Sequence, residues 1–172
     1  MSAPFHSALL DALKQRVVIG DGAMGTMLQA ADLTLGRLPR ARRLATRFST
    51  RPVPTCCATS TARTSRRGAD AVETNTFGCN LPNLADYDIA HRTGTCPTRG
   101  TGIAREVADE MGPGRDGMGR FVLGSMGRAP KLPPSATPRF AVLRDALHES
   151  ALGMIEGGAD AILVETCQDC SR

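Results

Sequence analysis

Three carboxylates in this sequence follow short apolar runs closely: Asp21 after "RVVIG", Glu73 after "GADAV" and Glu165 after "GADAILV". Hydroxyls and an amide cluster with them, in Glu73-Thr74-Asn75-Thr76, Ser125-Met126-Gly127 and Glu165-Thr166. If the apolar runs are parallel strands, these polar ends share one rim, where α/β enzymes assemble their sites. Carboxylates there suit a ligand bearing a cation, such as an amino acid's ammonium group, better than a phosphate. A blander role stays open for Glu73 and Glu165, as strand ends or arginine partners.

Two other patterns invite chemistry and support it less well. Gly20 to Thr26, "GDGAMGT", has the G-x-G-x-x-G spacing of a dinucleotide-binding turn. Asp21 would put a carboxylate in the phosphate cradle, and no acidic residue between 33 and 69 is present to take a ribose hydroxyl. A glycine turn opening a helix is the better reading. Cys56 and Cys57 offer adjacent thiols, but no third or fourth ligand stands near them, as tetrahedral zinc would require. Cys79 and Cys167 follow the second and fourth apolar runs and read as small buried thiols.

The elements that must position the rim show as a repeat. "RGADAVETNT" (67–76) and "GGADAILVET" (157–166) each give a glycine, Ala-Asp-Ala, a short apolar run and Glu-Thr, the pattern of a helix end, a tight turn and a buried strand. "RVVIG" (16–20) and "RFVLGS" (120–125) are two further strands. "AVLRDALHESALGMIEGG" predicts a helix with apolar residues at 142, 143, 147, 151, 152 and 155, ending at Gly157 and Gly158. "IAREVADEMGPG" is a weaker helix, and Leu9, Leu10 and Leu13 suit a short amphipathic one. Strands alternating with helices at this spacing imply parallel pairing through crossovers, hence an α/β fold. About four βα units make half of a (β/α)8 barrel, with a small doubly wound sheet as the alternative.

At 172 residues, 41% of them apolar, the chain can hold one domain with a core. It has no run of about 18 apolar residues and no basic-then-apolar leader, so we expect a cytoplasmic protein without a membrane partner, its six cysteines reduced. The net charge of +4 comes from one segment. Residues 36–67 hold nine arginines and no Asp, Glu or Lys, which leaves −5 on the other 140 residues. A disordered basic arm gripping nucleic acid is therefore a second function class. The segment has no aromatic residue beyond Phe48 to stack bases and the remainder is acidic, so no nucleic-acid partner is expected.

"RVVIGDGAMGTMLQ", "GADAVETNTFGCN", "FVLGSMG" and "GGADAILVETCQD", in this order, resemble the homocysteine-binding domain of the cobalamin-dependent methionine synthases, within the homocysteine S-methyltransferase family. The resemblance implies that 1–172 is the N-terminal half of a TIM barrel with an irregular Arg-rich insert at 36–67. It also implies that homocysteine is the substrate. Asp21 and Gly22 would hold its amino-acid end and Glu165 its ammonium, with Asn75 or Thr76 near the same pocket. Bound zinc would deprotonate the thiol, which with its ordinary pKa is mostly protonated at neutral pH. Methylcobalamin, with 5-methyltetrahydrofolate as ultimate donor, would supply the methyl group, and folate-binding and cobalamin-binding domains would be the partners. Family zinc ligands are three cysteines from the second half of the barrel, at positions none of these cysteines occupies, so zinc ligands are expected outside this chain. Another methyl donor, or an inactive fragment, are the alternatives.

Cys56-Cys57 has a further explanation in codons. If Pro52 to Cys57 were encoded CCC GTC CCG ACG TGC TGC, the same bases read one position earlier after an A give Thr-Arg-Pro-Asp-Val-Leu, a plausible start for a crossover helix. We therefore expect 36–67 and 170–172 to be out-of-frame translation, with 91–100 and 128–139 as similar patches.

Overall fold

The computed structural model describes residues 7–22, 26, 54–86, 88–114, 117, 119–127 and 140–166. In chain order its elements are helix α1 (Ala8–Gln15), helix α2 (Pro54–Arg66), strand β1 (Ala71–Glu73), helix α3 (Leu81–Ala85), a 3-10 turn (Ala90–Arg92), helix α4 (Thr95–Glu110), strand β2 (Phe121–Met126), helix α5 (Phe140–Glu156) and strand β3 (Ala161–Val164).

The sequence repeat corresponds to a repeated piece of backbone. Gly68 and Gly158 have φ of 104° and 93°, the left-handed region that a side chain disfavours. The amides of Gly68 and Ala69 donate to the carbonyls of Ser65 and Thr64 at 3.1 and 3.3 Å, and those of Gly158 and Ala159 to Ile155 and Met154 at 3.0 and 3.1 Å. These bonds satisfy the last carbonyls of α2 and α5 and turn the chain into β1 and β3.

The strands lie in the order β1-β2-β3 and pair in parallel, Glu73 opposite Leu123 and Ser125 opposite Leu163. Residues 16–20, expected as a first strand, make one parallel bridge, Gly20 to Ala71. Val17 and Ile19 are 81% and 57% exposed, and a short edge with little packed on it keeps few ladder bonds. One sheet face packs on α1: Leu9 and Ala12 meet Ala71 and Phe121, with Leu123 and Ala161 alongside. On the other face Val72 and Val122, both fully buried, meet Ala104 and Ala108 of α4. Each valine contributes about 1.5–3 kcal/mol relative to exposure.

Helices form where expected at Ala8–Gln15 and Phe140–Glu156, and three details differ. Of the α1 leucines only Leu9 is buried, and its core partner is Ala12. On α5 the buried residues are Ala146, Ser150, Gly153 and Met154, whereas Val142, Leu152 and Ile155 are exposed. The cause is close helix approach: a Cβ on Gly153 would lie 2.8 Å from Pro97, and one on Gly157 2.6 Å from the Thr98 carbonyl, so small residues face α4 and the larger ones flank the contact. Thirdly, residues 54–66 of the Arg-rich segment form helix α2, which packs on α4 and β1, while 36–53 lie outside the described residues. The buried face of α2 carries Cys57, Ser60, Thr61 and Ser65, and the Ser65 hydroxyl has no hydrogen-bond partner. No helix among the described residues is long and apolar enough to cross a membrane.

Candidate active site

Strand alternation puts Glu73, Ser125 and Glu165 on the sheet face that α1 covers further down, since they share parity with Ala71, Leu123 and Ala161 in the register. All three lie at or just beyond the C-terminal ends of their strands. Asp21 joins them from the edge: its amide donates to the Ala71 carbonyl at 3.0 Å, and its Oδ1 accepts the Glu73 amide at 2.9 Å. The rim expected from sequence is thus one place in space for Asp21, Glu73 and Glu165.

Burial raises the Asp21 carboxyl above its ordinary value, against the amide hydrogen bonds from Glu73 and from its own backbone, which pull it down. Glu73 is raised first by burial and then by the charges of Glu165 and Asp21. No Lys or Arg among the described residues pairs with Asp21 or Glu73. Two carboxylates held at raised affinity for protons are a surface on which a ligand cation replaces a proton.

The hydroxyls form a buried network. The Ser125 amide donates to Thr74 Oγ1 at 3.0 Å, Thr74 and Thr76 Oγ1 lie 2.5 Å apart, and Thr76 Oγ1 donates to the Ser125 carbonyl at 2.8 Å. The Ser125 hydroxyl donates to Glu165 Oε1. Glu165 is followed by Thr166 at φ 58°, a conformation that a β-branched residue adopts only under constraint and that clusters at functional sites. The loops after β1 and β2 close on each other, Gly127 donating to the Phe77 carbonyl at 2.9 Å where a Cβ would overlap the Phe77 ring.

The other residues singled out from sequence sit less directly on the rim. Gly22 is exposed, with open space where a Cβ would be; the helix expected after it falls mostly outside the described residues. Asn75 is half-buried and its Nδ2 donates to Cys57 Sγ at 3.6 Å, so the side chain turns toward α2. Thr76 is 1% exposed and its hydroxyl is engaged within the network. Ser125 and Thr74 carried a sequence signal only as polar strand ends; their bonding is across strands and has no local signature.

Cys79 is buried as expected, and Cys96, which sequence reasoning passed over, lies with its Sγ 2.7 Å from that of Cys79 beside Leu84 and Ile89. Burial raises the Cys79 thiol well above its ordinary value, with the Cys96 contact adding to it, the opposite of what a thiolate ligand needs. Among the described residues no group of three His, Cys, Asp or Glu is placed to hold a metal ion, so they do not fit a zinc site. The Cys56 side chain and Cys167 lie outside the described residues.

A parallel α/β sheet with a polar carboxylate rim defines a class of enzyme-like folds, and the sequence match narrows it. The homocysteine S-methyltransferase family matches residues 18–172, and the chain belongs to it. Among curated relatives, the methionine synthase of Mycobacterium tuberculosis is 55% identical over 96% of this chain, and that of Mycobacterium leprae 52% over the same share. The chain spans 14% and 13% of the length of those relatives. Solved structures of the homocysteine methyltransferase MmuM from Escherichia coli share the fold. Its oxidised form has TM-score 0.69 at 15% identity over 91% of this chain and 56% of its own, its metallated form 0.70 at 16% over 95% and 59%.

Proposed function

We propose that this chain is the homocysteine-holding part of a methionine synthase, a homocysteine S-methyltransferase domain organised as about four βα units of a TIM barrel. The reading rests on one observation above the others: in a chain of this family, Asp21, Glu73 and Glu165 converge at the strand ends, two of them with raised carboxyls and no described cation partner. Such a rim takes the ammonium group of an amino acid. Glu165 receives it and Asp21 and Gly22 border the amino-acid end, with Asn75 or Thr76 near the same pocket, Thr76 backing it from within the hydroxyl network.

The transfer reaction places a methyl group on the homocysteine sulfur to give methionine, with methylcobalamin as immediate donor and 5-methyltetrahydrofolate as its source. A family member using another donor is the alternative. Folate-binding and cobalamin-binding domains are the partners this reading entails, and the cytoplasm its compartment. Zinc would supply the thiolate form of the sulfur; the described residues do not provide its ligands, and no step is derived through it.

Homocysteine titrated into the isotope-labelled chain should shift the amide resonances of Gly22, Glu73 and Glu165 with about millimolar affinity, weakening as pH falls through the raised carboxyl range. Shifts absent at saturating ligand, or equal with an alkyl thiol lacking amino and carboxyl groups, overturn the reading.

The segment 36–67 we read as out-of-frame translation. A crossover helix whose buried face is Cys57, Ser60, Thr61 and Ser65, one hydroxyl unbonded, is what an unselected reading frame would leave in a core position. The packing of 54–66 as a helix on α4 and β1 also weighs against a fully disordered nucleic-acid arm. Sequencing the DNA through these codons tests it: if no single-base shift gives a continuous helix-forming reading, the idea fails.

A further inference from the structure

We propose that Ser125 is the positioning residue for Glu165, and that Thr74 and Thr76 exist at this rim to hold Ser125 rather than to touch the substrate. The inference rests on the homocysteine reading above and adds to it the device that aims the ammonium-binding carboxylate.

Counting protons fixes the direction of every bond. A hydroxyl carries one proton and a carbonyl oxygen none. Thr76 Oγ1, 2.8 Å from the Ser125 carbonyl, must therefore be the donor there. Its proton is then spent, so across the 2.5 Å contact Thr74 donates to Thr76. Thr74 has given its proton and accepts the Ser125 amide at 3.0 Å with its oxygen. The bonds close into a ring, from the Ser125 N–H through two threonine hydroxyls to the Ser125 C=O. Thr74, Thr76 and Ser125 are 3%, 1% and 2% exposed, so water does not compete for these groups.

The ring pins one residue at both its backbone donor and its backbone acceptor, and it leaves the Ser125 side chain with a single unspent proton. That proton goes to Glu165 Oε1. The serine hydroxyl is the donor there, so one Glu165 oxygen is held from the neighbouring strand. The Glu165 amide, 3.1 Å from the Met126 carbonyl, fixes the same residue from its backbone. Holding a flexible carboxylate in its binding rotamer before the ligand arrives removes an ordering cost from binding.

The test compares homocysteine with 4-mercaptobutyrate, which keeps the thiol and carboxylate but lacks the amino group, by titration into the whole chain. Wild type should favour homocysteine. Ser125→Ala should weaken homocysteine by up to about tenfold, the worth of one ordered side chain, and leave 4-mercaptobutyrate unchanged. Ser125→Thr, which keeps the hydroxyl, should restore the preference, and Thr76→Val, which opens the ring, should reduce it by about threefold. Equal weakening of both ligands by Ser125→Ala would mean a merely structural serine and overturn the proposal, as would an unchanged homocysteine affinity. Should Ser125→Ala not fold, the preference in Thr76→Val decides, and an unaltered one counts against the ring. If wild type does not distinguish the two ligands and Glu165→Gln alters neither, the homocysteine reading itself has failed, whatever Ser125 does.

Discussion

The two ends of this sheet treat their carboxylates in opposite ways. Where the strands begin, Asp70 accepts the Ile19 amide at 2.9 Å and two bonds from Arg16 at 2.7 and 3.1 Å; Asp160 accepts the Val122 amide at 2.7 Å and Arg105 at 3.0 Å. Each aspartate thus receives a neighbouring strand's N–H and a guanidinium together, an arrangement that stabilises register. Where the strands end, Asp21 and Glu73 have no described cation beside them, and their carboxyls are raised rather than neutralised. The same residue types are thus ion-paired at one end and, for Asp21 and Glu73, without a described cation at the other, where the proposed ligand would sit. Charge satisfaction, more than charge content, separates a structural carboxylate from a functional one.

The largest test of that contrast is at the paired end. Asp70→Ala removes the carboxylate that both Arg16 and the Ile19 amide use, and should cost about 2–3 kcal/mol in urea unfolding. Asp160→Ala should cost somewhat less, its side chain being 34% exposed against 13% for Asp70. A loss near zero at both positions would break the comparison. At the other end, Glu165→Gln should weaken homocysteine about ten- to hundredfold, the range of a charged hydrogen bond, with little change in unfolding. A destabilisation as large as that of Asp70→Ala would make Glu165 structural.

Glu73→Gln probes the raised carboxyl through pH. A group whose folded pKa lies above its unfolded value favours the fold below the unfolded pKa, and that contribution is lost as pH rises through the folded value. Gln does not titrate, so the melting temperature of Glu73→Gln should equal that of wild type in acid and exceed it increasingly toward neutral pH. A variant uniformly less stable would mean that Glu73 is ion-paired after all. The smallest expected effect is at Thr166, where Gly should gain about 0.5–1 kcal/mol by relieving the left-handed backbone.

What was legible in the sequence was local. Gly68 and Gly158 announce helix ends and turns within a few residues of themselves, and the apolar runs after them announce strands; the α/β class and the rim carboxylates followed from these. The α5 core face was misjudged because burial there is decided by Gly153 and Gly157 approaching α4, and small residues leave no mark in an apolar stripe. Residues 16–20 keep one bridge to β1 because little packs on this edge, and packing from distant residues is not recorded in the segment's own apolar run. The threonine-serine ring joins positions 49 to 51 apart in the chain, and the Cys79–Cys96 contact joins positions 17 apart, so neither has a spacing rule to reveal it.

The ring also bears on how the strands are tied together. The aspartate clamps tie segment 16–20 to β1 and β2 to β3, and at the lower end of the seam between β1 and β2 Arg120 donates to the Ala69 carbonyl. At the upper end of that seam the side-chain crosslink is Thr74 and Thr76 around Ser125, whose hydroxyl donates to Glu165 just beyond β3. If a ligand seats on Glu165 as proposed, amide exchange along the β1–β2 seam should slow when the rim is filled, because the crosslink across that seam also holds this carboxylate.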